Sequence, residues 1–335
     1  MSRPLRILQS APLPRPTTNP YIVMLCRSLA ERPDLDLLHF SWRTALLSRF
    51  DVFHAHWPEI LVSGAGPLKA AVRQALFVGF LAKLLLLRIP VVRTVHNLDV
   101  PPGLCTVQRL LLRLFDRLTV LRIHISDATP VQPGKECVTI LHGHYRDWFS
   151  SFPPSPAVSG QLTYFGLIRP YKNVDGLLDA FAQTRPDEGL RLMVAGKPGS
   201  DPQALIERLD GDPRVASILR YLTDAELVQV VTAAELVVLP YREMHNSGAA
   251  LAALSLDRPV LVPANETNRL LQQEAGTGWV HTYNGSLTPE ILVNALHSTR
   301  TARAGHSPDL SRRGWARAGS EHVEAYRLAL RLARG

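Results

Sequence analysis

At 335 residues, with 46% hydrophobic and 20% charged side chains, the chain is too long for a single growing core and too apolar to stay disordered. Its three cysteines, Cys26, Cys105 and Cys137, form no CxxC pair, which excludes a disulfide scaffold and suits a reduced, cytosolic protein. A net charge of +8 points to an anionic lipid or a phosphorylated small molecule, or the arginines simply solvate the surface; nucleic acid is the weakest candidate, because the basic residues are dispersed and no zinc spacing, RNP-like motif or helix-turn-helix signature is present.

In chain order, "LRILQSA" reads as a strand, and the short apolar stretch around it makes no signal peptide. The proline-rich loop "PLPRPTTNP" carries Asn19 to a helix from Tyr21 to about Glu31. "DVFHAHW" and "PVVRTVHNL" read as further strands. Between them lies "LKAAVRQALFVGFLAKLLLLRIP", very apolar but interrupted by Lys69, Arg73, Lys83 and Arg88. Its longest uncharged run, Gln74 to Ala82, is far short of the roughly 20 residues that cross a bilayer. With the following "VQRLLLRLFDRL" it reads as helices packed on a sheet, as a surface lying on an anionic membrane face, or as both. "LRIHISDAT" and "CVTILHGHY" are two more strands, and "SSFPPSPAVSG" is a linker by composition.

A second set with the same rhythm follows. "QLTYFGLI" (strand) precedes "NVDGLLDAFAQT" (helix), and "LRLMVAG" precedes a helix around "DPQALIERL". "VASILRYL", the helix "TDAELVQVVTAA", the strand "ELVVLPY", a small-residue helix after Asn246 and the strand "RPVLVPA" complete it. Strands separated by helices imply parallel βαβ units. The expected fold is therefore α/β: two Rossmann-like, doubly wound domains facing across a cleft, where such sheets bind ligands. The boundaries are residues 1–150, a linker at 151–160, and residues 161–308, with a helix over 309–335 expected to pack back on the N-terminal domain.

Two stretches of the second domain carry anion chemistry. In "YFGLIRPYKN" the strand ends at Gly166, and Arg169 and Lys172 sit in the turn before the next helix. A guanidinium fork and an ammonium there suit a diphosphate, and the bland alternative is a solvated basic turn. In "PYREMHNSGAALAALSLDRPV", Asn246, Ser247 and Gly248 open a helix whose N–H groups and dipole would hold an anion, unless they merely cap it. In the first domain, His54 and His56 alternate with Ala55 and so share one strand face, with Glu59 just beyond. His96 ends its own strand, and "LHGHY" adds His142 and His144. No pair has helical metal-ligand spacing and no carboxylate cluster accompanies them, so no metal is assigned; singly, each reads as a hydrogen-bonded structural histidine.

Together "DVFHAHW", "VVRTVHNL", "VTILHGHY", "YFGLIRPYKNVDGLLDAF", "MVAGKP", "LTDAELVQVVTAAELVVLPY" and "SGAALAALSLDRPV" resemble, in order and spacing, the group-1 nucleotide-sugar glycosyltransferases of GT-B fold. "NPYIVMLCRSL", "IRPYKN" and "NSGAALAAL" look most like bacterial transferases of exopolysaccharide or glycolipid synthesis. The resemblance implies an N-terminal acceptor domain and a C-terminal donor domain, a nucleotide-sugar donor and no further cofactor. It implies a lipid-linked saccharide acceptor, and a cytoplasmic location with peripheral contact at the inner face of the membrane. GDP-mannose is the favoured donor. Arg169 and Lys172 match the basic pair on the donor diphosphate, with Gly166 at the strand end before them. His96 matches the histidine near the transferred sugar. Ser247 and Gly248 match the loop and helix start that touch donor phosphates or sugar, and Asn19 falls in the first loop, beside acceptor and phosphate.

The family's two glutamates around that helix fall here on Met244 and Ala252. Glu243 stands one residue from the first, nothing replaces the second, and "PLPRPTTNP" replaces the glycine-rich first loop. The expected chemistry is metal-independent glycosyl transfer, in which fixed cations stabilise the departing diphosphate. His96, His56 and Glu243 are the candidate catalytic groups, and His56, Glu59 or Glu243 would serve as base in an inverting route. A nucleotide-sugar epimerase or a non-catalytic binding protein on the same fold are the alternatives.

Overall fold

The computed structural model describes residues 3–15, 17–97, 103–199, 202–302 and 307–334. Packing divides the chain into two compact units, Met1–Gly143 with Arg313–Gly335, and His144–Arg312.

The first unit holds β1 (Leu5–Gln9), α1 (Pro20–Ala30), β2 (Leu35–Leu38), α2 (Trp42–Leu47), β3 (Val52–Ala55), α3 (Glu59–Val62), α4 (Pro67–Leu86), β4 (Val91–Val95), α5 (Thr106–Leu118), β5 (Thr119–His124) and β6 (Glu136–Thr139). Its sheet is six-stranded and parallel in the order β2-β1-β3-β4-β5-β6. The order reverses between β1 and β3, so the carboxyl ends of these strands form a topological switch point, where open α/β sheets leave a crevice.

The second unit holds α6 (Arg146–Phe149), β7 (Gln161–Phe165), α7 (Val174–Ala182), β8 (Arg191–Ala195), α8 (Gln203–Asp210), β9 (Val215–Ile218), α9 (Asp224–Ala233), β10 (Leu236–Val238), α10 (Gly248–Ser255), β11 (Val260–Pro263), α11 (Glu266–Ala275), β12 (Val280–Tyr283) and α12 (Pro289–Ala302). Its parallel sheet runs β12-β11-β10-β7-β8-β9, which puts the switch point between β7 and β10. The unit starts before the proline-rich segment at residues 150–160. The Tyr145 N–H donates to Ser255 Oγ (2.8 Å) and Trp148 Nε1–H to Asp224 (3.1 Å), tying α6 to this unit.

The last helix, α13 (Trp315–Leu332), belongs to the first unit and packs along α1. It explains the two unlike faces of the first sheet. Successive strand residues point to opposite sides. On β3, Phe53 and Ala55 enter an aromatic core with Phe77 and Phe80 of α4 and Phe115 of α5, the Phe53 and Phe80 rings meeting edge to face at 4.8 Å. His54 and His56 point the other way, and His54 meets Tyr326 of α13. The edge strands β2 and β12 and the helices α2, α11 and α12 go beyond the elements read from the sequence. "LDLL" and "VHTY", four residues each, are too short to announce a strand.

Candidate active site

At the switch point of the second sheet, β7 ends at Phe165 and is followed by Gly166, whose φ of +111° suits glycine alone among common residues. Gly196, after β8, crosses it so closely that a Cβ there would fall 1.9 Å from the Gly166 carbonyl oxygen. This tight crossing leaves room for the following turn, which ends in Asn173 at a left-handed φ of 54°. The turn folds Lys172 back over the strand end. A Cβ on Gly166 would lie 3.3 Å from Lys172 Nζ, and the ammonium sits 4.8 Å from the centre of the Tyr241 ring. The turn is tied to the loop before α10 by Arg242 N–H donating to the Tyr171 carbonyl (2.8 Å) and Arg242 Nε–H to Asn173 Oδ1 (3.3 Å). Burial, and then the neighbouring Arg169 charge, lower the Lys172 pKa to about 8. Two cations crowded on a half-buried ledge, with no carboxylate against them among the described residues, are arranged for an anion.

The same loop leads into α10. Ser247 is its N-cap, its hydroxyl accepting from the Ala250 N–H at 3.2 Å. A Cβ on Gly248 would come within 3.3 Å of the Tyr145 hydroxyl, so a larger side chain would crowd the helix start. Asn246, Ser247 and Gly248 are all half-buried. At the place of the family's first glutamate, Met244 turns inward: its carbonyl accepts from Asn265 Nδ2–H (2.7 Å) and its sulfur lies 3.4 Å from Asn268 Nδ2. Ala252 is buried in α10, and Glu243 is exposed.

In the first unit the histidines form a chain of hydrogen bonds at the carboxyl ends of β1, β3 and β4. Gln9 Oε1 accepts from His56 Nε2–H (3.1 Å), so His56 Nδ1 accepts from His96 Nε2–H (3.1 Å). On the other side Gln9 Nε2 donates to His54 Nδ1 and to the Tyr326 hydroxyl, both at 3.1 Å. His54 Nε2–H donates to Thr94 Oγ1 at 2.8 Å. Burial is the main cause that pushes the His54 and His96 pKa values well down and that of His56 to about 3, with neighbouring histidines adding to it. These rings are neutral hydrogen-bonding groups at physiological pH. Trp57 stacks on His96 at 4.1 Å, and Tyr21 meets it edge-on at 5.2 Å.

A cavity of about 490 Å³ opens beside this chain, lined among others by His56, Trp57, Glu59 and His96. Burial raises the Glu59 pKa, against the opposing pull of its own backbone and of Arg93. Asn19 is exposed and caps α1, its Oδ1 accepting from the Tyr21 N–H at 3.0 Å. His142 is buried on the Gly143 carbonyl (2.8 Å), while His144 accepts from the Arg146 N–H at 3.4 Å in the second unit.

Thus the structure brings His56 to His96, and the Arg169–Lys172 turn to the loop that opens α10, whereas Glu243, in that same loop, is exposed. Sequence reading missed Gln9, Tyr21 and Tyr241. Gln9 had one signal, an amide at the end of an otherwise apolar strand; the two tyrosines read as ordinary core residues.

Two doubly wound parallel sheets, one with a basic, glycine-lined switch point, give the chain the GT-B architecture. Residues 159–297 match the family model described as glycosyl transferases group 1. Over 329 residues the chain is 43% identical to a GDP-mannose:glycolipid 4-beta-D-mannosyltransferase of Xanthomonas campestris pv. campestris, covering 97% of this chain and 93% of that one. Its fold matches AviGT4, a glycosyltransferase involved in avilamycin A biosynthesis, with a TM-score of 0.57 and 16% identity over 98% of each chain. It also matches Anabaena HepE in complex with UDP, with a TM-score of 0.59 and 14% identity over 99% of this chain and 97% of that one. The chain belongs to the group 1 glycosyltransferases, and it is a glycosyltransferase enzyme of GT-B fold.

Proposed function

We propose that this enzyme moves mannose from GDP-mannose to a glycolipid acceptor, inverting the anomeric centre and using no metal. The donor and acceptor follow from the relatives' name, and the β linkage in that name implies inversion, because the sugar of GDP-mannose is α-linked. One observation carries the chemistry: Arg169 and Lys172 stand on the ledge tied to the loop before α10, with no carboxylate against them among the described residues. As the glycosidic bond breaks, the two cations and the α10 N–H groups take the charge growing on the diphosphate. Inversion needs a base for the acceptor hydroxyl. His56, with its pKa near 3 and both ring nitrogens engaged, is a poor one. Glu59 lines the cavity beside His96 and its pKa is raised, which favours it over the exposed Glu243. The relatives' transferase activity speaks against the epimerase and the non-catalytic alternatives.

The test is incubation of the purified chain with labelled GDP-mannose and a panel of glycolipids, with and without EDTA, followed by NMR of the product. A β-linked mannolipid formed in EDTA is expected. An α linkage, a requirement for metal, or equal use of UDP-sugars would refute the reading.

No helix of the described residues is long and apolar enough to cross a membrane. The outer face of α4 favours peripheral attachment instead. Leu68, Val72, Ala75, Gly79, Ala82 and Leu86 recur there at three- and four-residue intervals and are exposed, Leu68 by 77% and Leu86 by 79%. Lys69, Arg73 and Arg88 are exposed around them. Apolar residues among cations suit an anionic bilayer surface, such as the inner face of a bacterial membrane engaged in exopolysaccharide assembly. Sedimentation with anionic vesicles should be lost in Leu68→Glu/Leu86→Glu; equal sedimentation of both proteins would remove this face from the membrane.

A further inference from the structure

Gln9 is a fully buried amide at the end of β1 for which the transfer chemistry gives no reason. The parallel register sets it beside His54 of β3. The backbone holds the two strand ends together, Ser10 N–H donating to the His54 carbonyl (2.8 Å) and His56 N–H to Ser10 Oγ (3.0 Å). A buried amide destabilises the fold unless its N–H groups and its oxygen find partners. Here the partners are unevenly divided. On one side lie two acceptors, His54 Nδ1 and the Tyr326 hydroxyl, each 3.1 Å from Gln9 Nε2. On the other lies a single ring nitrogen, His56 Nε2, 3.1 Å from Gln9 Oε1.

That division sets the direction of the whole chain. An amide has two protons to give on its nitrogen and none on its oxygen. With the nitrogen towards His54 and Tyr326, both N–H groups are taken. Turned over, the amide would aim its N–H groups at His56 alone, and one would stay buried without an acceptor. The oxygen therefore faces His56 and requires a proton on His56 Nε2. His56 Nδ1 is then bare and accepts from His96 Nε2–H at 3.1 Å. A neutral imidazole carries one such proton, so His96 Nδ1 has none. Trp57 on its face and Tyr21 at its edge hold the His96 ring against turning.

We propose that Gln9 is a positioning residue of the reaction: through His56 it keeps the proton of His96 on Nε2, so that a substrate hydroxyl in the cavity meets Nδ1 as a hydrogen-bond acceptor. The proposal rests on the reading of the reaction as mannose transfer beside Glu59, which lines that cavity with His96. A hydroxyl that donates to His96 has its O–H direction fixed and its oxygen lone pairs left for other contacts. The opposite tautomer would take a lone pair instead and leave the O–H undirected.

The full chain is labelled with 15N in its histidine rings, and His96 is assigned by the signals lost in His96→Asn. Protonated and bare ring nitrogens differ widely in 15N shift, so the spectrum reads the tautomer without substrate. The native protein is expected to show His96 protonated at Nε2 alone. Gln9→Met, close in volume, should give a mixture of tautomers. So should Tyr326→Phe, because the amide then has one acceptor on either side, although Tyr326 bonds only to Gln9 and His54 among the described residues. In Gln9→Met kcat should fall about tenfold, the range of one hydrogen bond, with the Kd for GDP unchanged. A native His96 protonated at Nδ1, a mixture already present in the native protein, or a single tautomer that survives in both variants overturns the proposal. The native spectrum gives that answer even where a variant fails to fold. If the tautomer is locked and Gln9→Met frees it, but no mannose reaches any glycolipid, the lock stands and the proposed reaction fails. Mannose transfer at native kcat by Gln9→Met keeps the reaction and removes Gln9 from it.

Discussion

The carboxyl ends of β3 and β7 each flank the topological switch point of their own sheet, yet they carry opposite electrostatics. Beyond β3, burial strips the histidines of charge and leaves a neutral chain from Tyr326 through Gln9 and His56 to His96. Beyond β7, a glycine crossing keeps Lys172 at the edge of the fold, so its ammonium stays charged below a pH of about 8. A switch point supplies a place to bind, and the depth of its side chains decides whether that place offers hydrogen bonds or charge. The neutral end suits the positioning of a sugar; the charged end suits a diphosphate.

Substitutions at the two ends should break this comparison in different ways. The largest effect is expected at the neutral end. Glu59→Gln keeps the shape but cannot take a proton, so kcat should fall by about 10²–10⁴ while GDP affinity, measured by calorimetry, holds. Because burial raises the Glu59 pKa, the ionised base is lost as pH falls through that raised value. Activity should therefore decline on the acid side sooner than an ordinary carboxylate would allow. At the charged end, Lys172→Ala should lower kcat by about 10²–10³ and weaken GDP as well, since the ammonium holds the diphosphate and holds it more strongly as its charge grows in the transition state. Loss of GDP affinity without loss of kcat would confine Lys172 to binding. The smallest effect concerns stability. Tyr326→Phe removes a buried hydroxyl shared by Gln9 and His54, which should cost about 1–3 kcal/mol in urea unfolding.

The contrast also explains what was legible in the chain. The parallel αβ rhythm, α1, and the small-residue helix after Asn246 could all be read, because period and capping are local properties. The basic turn at Arg169 and Lys172 was equally open, since both cations lie within one short loop. The histidine chain was visible only as residue types. Its partner Tyr326 comes from the far end of the chain, and long-range hydrogen bonds leave no spacing to read. The role of Gln9 hid for the same reason: Gln9 and His54 stand on different strands, and only their register reveals them as neighbours. Met244 and Glu243 show the limit of position counting, because a loop turned the first inward and left the second on the surface.

GDP affinity measured across pH 7 to 9 tests the central claim, that a half-buried ammonium at the end of β7 grips the donor diphosphate. A lysine with its pKa lowered to about 8 is charged below that value and loses its proton above it, so the Kd of the native enzyme should be flat on the acid side and rise by up to about tenfold by pH 9. Lys172→Arg, which stays charged throughout, should bind GDP with no such rise. A Kd independent of pH in the native enzyme, or the same rise in the arginine variant, would contradict the account.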